Sequence, residues 1–367
     1  MVFVSGYSGV GKSAVVQHVR KRLQGKKIHF ISGKFEQLQP AGPLCALDAA
    51  FSEYTNSVIQ KGPQCILETK KAIVDAIQAD AGVLTDAFPC LCKIIGKPTT
   101  TPVEIGPMAS QNRFRFIFQM FIRAINSLSY PIILFLDDLQ WVDNLSLQLI
   151  SSLMTDTEIR NLLFIGSYRD NEIDHIHPLT VHLNELKNEK VAITNINITD
   201  ISKEVVSTLI SDVINMPNSL TESLSDVVYK KTGGNVLFVI QFLNSICDEG
   251  LLFYSFDDKG WKWDVDAIEA KEIPDEVGAL LSRKIRQLPI GCQHSIKILA
   301  CIGSKCDESI LIPFMCQGRG DSYFSLLDYA IDEGLLKKEG STYMFAHDQI
   351  QNAAYSLIPE SDQSCMH

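Results

Sequence analysis

The amino-acid sequence predicts an α/β fold, in which a parallel sheet with crossover helices precedes a helical region and a small C-terminal domain. A short apolar run at residues 1–5 passes through a glycine-rich turn into an amphipathic helix at Ser13–Leu23. Apolar runs at Pro131–Leu136 and Asn161–Ser167 alternate with helical patterns, which is typical of parallel sheets. After about residue 180, helical periodicity dominates.

The remaining elements of the first half follow from their residue patterns. A second strand is predicted at Lys27–Ser32, and helical patterns fill residues 44–60, 64–79 and 111–127. The short, continuous apolar runs of the later strands suit positions that are covered on both faces of a sheet. The sheet is therefore expected to be sandwiched between its crossover helices.

The second half is predicted to contain helices and two β-hairpins. Capping residues and apolar spacing predict helices at Thr199–Met216, Leu220–Lys231 and Leu237–Cys247. Two similar segments, Phe242–Leu252 and Leu326–Leu336, each end a helix at glycine and lead into a hairpin. Two copies do not make a solenoid. Helices followed by a hairpin over 275–357 fit a winged-helix unit.

Length and composition indicate a folded protein of two or three domains. The chain has 367 residues, of which 46% are hydrophobic and 21% charged. Its formal net charge of −10 argues against a surface that coats nucleic acid, although one small basic face stays compatible with it. The predicted domains are an α/β domain at 1–180, a helical region with a hairpin at 181–270, and a winged helix at 271–367.

The cysteines and the hydropathy favour an intracellular location. The ten cysteines show neither a CxxC pair nor zinc-binding spacing, so we interpret them as reduced core residues. Cys90 and Cys92 are the closest pair, and helix packing explains them better than a ligand set. No apolar run approaches the roughly 20 residues that span a bilayer, and no signal peptide is visible. The expected location is the cytoplasm, or the nucleus of a eukaryote.

The glycine-rich turn is a complete phosphate-binding loop. Its sequence matches G-x-x-x-x-G-K-[ST] at every fixed position, and its glycines let backbone N–H groups surround phosphate oxygens. Lys12 is expected to reach the β- and γ-phosphates of ATP, and the Ser13 hydroxyl to bind Mg²⁺. A chance match is disfavoured by the strand before the loop and the helix after it. The predicted nucleotide contacts are Gly6, Tyr7, Ser8, Gly9, Val10, Gly11, Lys12, Ser13 and Ala14.

Two acids follow the strand at Pro131–Leu136. An apolar strand that delivers acids at its carboxyl end is where such ATPases hold Mg²⁺. Asp137 is therefore predicted to bind the metal, and Asp138 to orient or deprotonate the attacking water. Asp143 is the next candidate for the base. An ordinary acidic turn is the alternative, which the upstream phosphate loop disfavours.

Two further residues are weaker candidates. Arg169 follows the third apolar strand at the edge where such sheets bind ligands, so it is a candidate sensor of the γ-phosphate. A surface ion pair with Asp170 or Glu172 explains it equally well. His347 lies just after the second hairpin, where a lone histidine is more often a packing or capping residue.

Six ordered segments carry a specific resemblance. The sequence is similar to the AAA-like ATPase module of large multidomain serine/threonine and histidine sensor kinases. That module belongs to the signal-transduction ATPases with numerous domains, the STAND class. The segments that carry the resemblance are Phe30–Gln39, Gln111–Ile122, Phe135–Ile150, Ile165–Glu172, Thr232–Leu243 and His347–Glu360.

The resemblance implies an ATP/ADP-governed switch built from a nucleotide domain, a helical lid and a winged helix. Lys12, Ser13, Asp137, Asp138 and Arg169 take the roles given above. Gly234 and Asn235 begin the lid motif that closes over adenine, although Val236 stands where the family has proline. His347 matches a histidine that touches the ADP β-phosphate in relatives. The chain begins on the phosphate-loop strand and ends soon after the winged helix, as expected of a piece of a longer signalling protein.

We therefore expect a slow, Mg²⁺-dependent ATPase that acts as a conformational switch. Its expected partners are effector or kinase domains, and a nucleotide-dependent oligomer is compatible with the class. One alternative is a winged-helix DNA-binding initiator or regulator. Its recognition helix would be His347–Leu357, which lacks Lys and Arg, and the wing adds only Lys337 and Lys338. The other alternative is a nucleotide-binding scaffold without hydrolysis.

Overall fold

The computed structural model describes residues 1–37, 42–97, 107–126, 128, 130–271, 277–315, 321–359 and 361. It divides into two compact units, an N-terminal unit at Met1–Thr199 and a C-terminal unit at Asp200–His367. Among the described residues, no helix is both long and apolar enough to cross a membrane. The division into three domains at 180 and 270 stays a prediction.

The N-terminal unit alternates strands and helices, as the sequence predicts. Its strands are β1 Val2–Ser5, β2 His29–Lys34, β3 Ile132–Asp137, β4 Leu162–Tyr168 and β5 Thr194–Asn197. Its helices are α1 Lys12–Leu23, α2 Cys45–Gln60, α3 Pro63–Ile77, α4 Ala81–Ala87, α5 Cys92–Ile95, α6 Pro107–Asn126, α7 Asn144–Met154 and α8 Pro178–Asn188.

The five strands form one parallel sheet in the order β2-β3-β4-β1-β5. This confirms the predicted α/β fold with a parallel sheet. Every residue of β3 is buried, as expected for a strand that is covered on both faces. The carboxyl ends of β1, β3 and β4 therefore lie side by side, and the phosphate loop, the two acids and Arg169 follow those three ends.

The two faces of the sheet differ in what covers them. Alternate strand residues such as Phe3, Leu134 and Phe164 pack into a large core together with side chains of α2, α3, α6 and α7. The opposite face forms a small cluster in which Val4 and Phe135 contact Val16 of α1. The phosphate-loop helix therefore packs on the face opposite the main core.

The C-terminal unit contains helices and two small antiparallel sheets. Its helices are α9 Lys203–Ile214, α10 Asn218–Thr232, α11 Val236–Asp248, α12 Val265–Ala270, α13 Val277–Gln287, α14 Ile290–Ile302, α15 Glu308–Met315, α16 Asp321–Asp332 and α17 Asp348–Ser356. Its strands are β6 Leu252–Ser255, β7 Gly260–Trp263, β8 Lys305–Asp307, β9 Leu336–Glu339 and β10 Thr342–Phe345.

Each small sheet packs with its own group of helices. The predicted first hairpin is β6–β7, whose core is shared with α9, α10, α11 and α12. The predicted second hairpin is β9–β10, and β8 adds a third strand in the order β8-β10-β9. Its core is formed with α13, α14, α16 and α17.

Candidate functional site

The phosphate loop connects β1 to α1 through backbone that favours glycine. Gly6 has a φ of 143°, and a Cβ atom there would lie 2.1 Å from the backbone oxygen of Ile198. Gly11 has a φ of 101° and immediately precedes the first residue of α1. Any larger residue at Gly6 would collide with the chain that follows β5, so the loop shape depends on this glycine.

Lys12 is held by the loop itself. Its ammonium group donates hydrogen bonds to the backbone oxygens of Gly6 and Tyr7, each over 2.8 Å. The residue is buried. Burial lowers the pKa of Lys12 from its usual value, and the carboxylate of Asp138 opposes that shift. The hydrogen bonds to Gly6 and Tyr7 thus hold the cation against the loop.

Ser13 and Asp137 meet as an oxygen pair that suits Mg²⁺. The Ser13 hydroxyl donates to Asp137 Oδ2 over 2.7 Å. Asp137 Oδ1 accepts hydrogen bonds from the Ser167 hydroxyl and from the backbone N–H of Asp138. Mg²⁺ in nucleotide sites takes few protein oxygens besides phosphates and water. These two side chains therefore fit the predicted metal contact, although the described residues contain no cluster of three or more His, Cys, Asp or Glu ligands.

Asp138 is the most constrained side chain of the site. Its φ of 57° is in the left-handed region, and the residue is buried. Lys34 Nζ lies 2.9 Å from its Oδ2, while Gln140 Nε2 donates to its Oδ1 over 2.9 Å. Arg169 Nε lies 3.7 Å from the same Oδ1. Both carboxylate oxygens are therefore contacted by donors.

These contacts set the charge of Asp138. Burial alone would raise the pKa of its carboxyl, but the charges of Lys34 and Arg169 and the Gln140 hydrogen bond outweigh burial. The pKa of Asp138 consequently lies below its usual value, and the carboxylate is ionised at neutral pH. For Lys34, burial is again opposed by the charge of Asp138, and the net effect raises the pKa of its ammonium group.

Arg169 follows β4 and is buried. Its Nη1 donates to Glu172 over 2.6 Å, and its guanidinium carbon lies 4.8 Å from the centre of the Trp141 ring. The ion pair with Glu172 was one of the sequence-based explanations of Arg169, and the structure contains it. Arg169 also faces Asp138, so a role as sensor stays compatible with this pairing.

The structure adds three residues that the sequence analysis did not single out. Lys34 and Gln140 hold Asp138, and Ser167 holds Asp137. A signal for Lys34 was present, because a lysine that ends a strand beside an acid-bearing strand is placed for an ion pair. The register pairs Lys34 with Asp137. The predicted second strand stopped at Ser32, two residues too early to reveal it.

Asp143 is not placed to act as a base. Its carboxylate accepts hydrogen bonds from the backbone N–H and the hydroxyl of Ser146. Asp143 is thereby the N-cap of α7. It also accepts from the backbone N–H of Leu44, just before α2. A carboxylate that is engaged in three such bonds holds two helix ends together.

In the C-terminal unit, the Gly-Asn motif has a clear local role. Gly234 has a φ of 82°, and a Cβ atom there would lie 2.2 Å from the backbone oxygen of Ile201. The Asn235 side chain accepts from the backbone N–H of Phe238 and caps α11. Val236 is the first residue of that helix. The adenine contact implied for this motif stays a prediction.

His347 begins the last helix. Its Nδ1 accepts from the backbone N–H of Gln349 over 3.1 Å, which caps α17. The Asp348 carboxylate lies close to the same nitrogen. The capping role is thus observed, and contact with ADP stays a prediction.

The chain is similar to several known proteins. Residues 1–165 match the family described as AAA ATPase domain. The N-terminal unit is therefore similar to AAA-type ATPase domains. A curated protein of Dictyostelium discoideum, hybrid signal transduction histidine kinase G, is 27% identical over 99% of this chain. The chain spans 13% of the length of that relative.

Two solved structures align weakly with this chain. A Walker-type ATPase of Pyrococcus abyssi is 11% identical with a TM-score of 0.39, covering 96% of this chain and 90% of that one. The ORC2 protein of Aeropyrum pernix, in ADPNP–ADP complexes, is 11% identical with a TM-score of 0.38, covering 97% of this chain and 87% of that one.

Proposed function

We propose that this chain binds Mg·ATP and hydrolyses it slowly, as a STAND-type switch within a larger signalling protein. The observation that carries the proposal is the geometry around Asp138. The ionised Asp138 carboxylate lies at the carboxyl edge of the sheet, and Lys34 and Arg169 contact its two oxygens. The preceding residue, Asp137, ends β3 and forms with Ser13 the oxygen pair that suits Mg²⁺. An ionised acid such as Asp138 can orient a water molecule, but its low pKa makes it a weak proton acceptor, which favours slow turnover.

Each side chain of the site has its own proposed role in ATP hydrolysis. Lys12 supplies the cation for the β- and γ-phosphates, and the loop glycines allow backbone N–H groups to face them. Ser13 and Asp137 would hold Mg²⁺, which supplies charge neutralisation to the phosphates when bound. Asp138 orients the attacking water, and Arg169 is the proposed sensor of the γ-phosphate. Ala14, at the start of α1, belongs to the proposed nucleotide contacts.

The signalling role rests on the relative and on the segments shared with the STAND class. The matched relative is named a histidine kinase and is far longer than this chain. We therefore propose kinase or effector domains as partners, in the same chain or another, with a nucleotide-dependent oligomer as one form of output. The proposed location is the cytoplasm.

The order of elements in the C-terminal unit supports a winged helix. The series α14–β8–α15–α16–β9–β10, with its three-stranded antiparallel sheet, is the connectivity of that fold. In this order the recognition helix is α16, not the His347–Leu357 segment that the sequence suggested. The sequence of α16 carries three aspartates and neither Lys nor Arg.

This arrangement disfavours the DNA-binding alternative. Lys338, one of two lysines expected to serve the wing, pairs with Glu308 over 2.6 Å and donates to the Tyr343 hydroxyl over 3.1 Å. An acidic recognition helix and a paired wing lysine leave few contacts for a phosphate backbone. We accordingly propose that the winged helix works within the switch.

Phosphate release and thermal shift together test the proposal. Wild type should release phosphate slowly from Mg·ATP and gain thermal stability with it, since a ligand stabilises only the state that it binds. Lys12→Ala should lose both effects because it removes the cation that contacts the β- and γ-phosphates. Equal shifts in both proteins would refute the site. A shift without any phosphate release would favour a scaffold that does not hydrolyse.

A further inference from the structure

Gln140 lies in the short 3₁₀ turn Leu139–Trp141, between β3 and α7. The residue is 6% exposed. Its Nε2 donates to Asp138 Oδ1 over 2.9 Å, and its Oε1 accepts from the backbone N–H of Arg169 over 3.2 Å. One amide group thus joins the acid that follows β3 to the arginine that follows β4.

The orientation of this amide is fixed by chemistry. The Asp138 carboxylate can only accept, and the Arg169 backbone N–H can only donate. Exchanging the amide nitrogen and oxygen would therefore set acceptor against acceptor and donor against donor. A glutamate at position 140 lacks the donor, and a methionine lacks both functions, so a glutamine satisfies both partners.

The turn that carries Gln140 is itself held rigidly. Leu139 is buried against β4, where a Cβ atom at Gly166 would lie 2.4 Å from Leu139 Cδ1. On the other side, His177 caps α8 through Nδ1, so its Nε2 carries the proton and donates to the backbone oxygen of Gln140 over 3.1 Å. Strand β4 and helix α8 both fix the position of Gln140.

We propose that Gln140 is a positioning residue for ATP hydrolysis, which fixes the Asp138 carboxylate and the Arg169 backbone relative to each other. The proposal rests on the proposed ATPase function. Lys34 contacts Oδ2 of Asp138 and Gln140 contacts Oδ1, so the carboxylate plane cannot rotate without losing one contact. With the carboxylate plane fixed, an attacking water molecule can be held in one position relative to Asp138.

Two substitutions test this role. In Gln140→Met the carboxylate loses one of its restraints, and because a misplacement of about 1 Å can cost about 10²-fold in rate, we expect kcat to fall roughly 10- to 100-fold. The KM for Mg·ATP should change less than about threefold, since Gln140 contacts Arg169 only through its backbone N–H and not through the guanidinium that is proposed to sense the γ-phosphate. In Gln140→Glu a second carboxylate faces Asp138, so the acid limb of the kcat–pH profile should move up by about one unit or more.

A matched variant separates positioning from general stability. Gln119 lies on α6 of the same unit, and its side-chain amide donates a hydrogen bond to the backbone oxygen of Ser152 over 2.9 Å. Gln119→Met should lower the melting temperature without changing kcat or its pH profile. If Gln140→Met also changes only the melting temperature, or if kcat and affinity fall together, Gln140 is structural and the proposal is overturned.

A measurement that does not depend on turnover distinguishes a failure of this proposal from a failure of the proposed ATPase function. Aspartate ¹³C-carboxyl NMR on the nucleotide-free protein, assigned with Asp138→Asn, reports the titration of Asp138. Gln140→Met should raise the pKa of Asp138 because it removes a donor to the charged form. An unchanged titration would refute the contact even in an active enzyme. A raised pKa of Asp138 in Gln140→Met, together with a wild type that releases no phosphate, would support the contact and refute the ATPase function.

Discussion

At the scale of single residues, the backbone of Asp138 matters as much as its charge. A left-handed φ is tolerated by aspartate and asparagine better than by most residues. Asp138→Asn should therefore keep the turn and the binding of Mg·ATP. It should slow hydrolysis about 10²- to 10⁴-fold, because the amide can neither carry the charge nor take a proton. Phosphate release under saturating ATP measures this.

The control for Asp138 is the neighbouring acid. Asp143→Asn should keep the cap of α7 but lower stability by losing the hydrogen bond from the Leu44 N–H, while hydrolysis stays near the wild-type rate. Unchanged turnover in Asp138→Asn would contradict the assigned role. If Asp143→Asn were inactive although folded, the water-orienting acid would have to be sought there.

A second residue-scale prediction concerns pH and lies at the opposite end of β2. His29 is buried between the rings of Tyr54 and Tyr130, and its Nε2 lies 3.0 Å from the Lys61 ammonium group. Burial, aided by the charge of Lys61, lowers the pKa of His29 from 6.5 to about 4. The folded state thus binds fewer protons than the unfolded state between these two values. Stability is full above pH 6.5 and falls as the pH decreases toward 4.

This shift predicts a loss of about 2 kcal/mol in the free energy of unfolding between pH 7.5 and 5 from His29 alone. Urea denaturation of wild type and His29→Gln at both pH values measures it. The variant should be less stable at pH 7.5 and should lose less stability on acidification. Parallel losses in the two proteins would show that His29 titrates normally in the folded state.

At the scale of elements, the phosphate loop depends on the chain that directly follows β5 and passes beside the loop. The Ile198 backbone N–H donates to the Ser5 oxygen over 2.8 Å, and the Ile198 oxygen occupies the place that a Cβ atom at Gly6 would need. Gly6→Ala should destabilise the N-terminal unit by about 1–3 kcal/mol and abolish the thermal shift with Mg·ATP. Gly42→Ala is the control, since a Cβ atom there meets no neighbour. Equal behaviour of both variants would refute the account of the loop.

The elements that the sequence predicted are those with strong periodic patterns. The continuous apolar run of β3 was assigned correctly because burial on both faces leaves a clear signal. The turn before α1 was assigned correctly because its glycines occur at a fixed spacing. Strand β5 was missed because all four residues of Thr194–Asn197 are exposed, and it is placed by its pairing with β1. Strand β8 has three residues, too few for a pattern.

The sequence singled out only the motif residues of the candidate site. The fixed spacing of the loop pointed to Lys12 and Ser13, and the acids that follow the strand pointed to Asp137 and Asp138. Contacts that link distant segments leave no local pattern. Lys34 is brought to Asp138 by the pairing of β2 with β3, and Gln140 reaches Arg169 across the ends of β3 and β4.

At the scale of the whole molecule, the switch hypothesis requires the C-terminal unit to respond to the nucleotide, and His347 is the residue proposed to do so. The hypothesis is that its imidazole donates a hydrogen bond to the ADP β-phosphate. Its motivation is the resemblance of His347–Glu360 to the STAND class. A charge-assisted bond of this kind contributes about 1.5–3 kcal/mol, so its removal should weaken ADP binding about 10- to 150-fold.

Two substitutions at His347 separate the cap from the phosphate contact. Asparagine is a good N-cap and lacks the imidazole, whereas alanine loses both functions and should cost about 1 kcal/mol of stability. His347→Asn should therefore keep the melting temperature of the nucleotide-free protein, yet lose ADP affinity as strongly as His347→Ala. ATP affinity should fall less in both, because the ATP form is not expected to make the contact, and this difference shifts the population toward that form. Calorimetric titration with both nucleotides measures the four affinities. If His347→Asn binds ADP like wild type, or if ADP and ATP weaken in parallel, the histidine only caps α17 and the nucleotide must be sensed elsewhere.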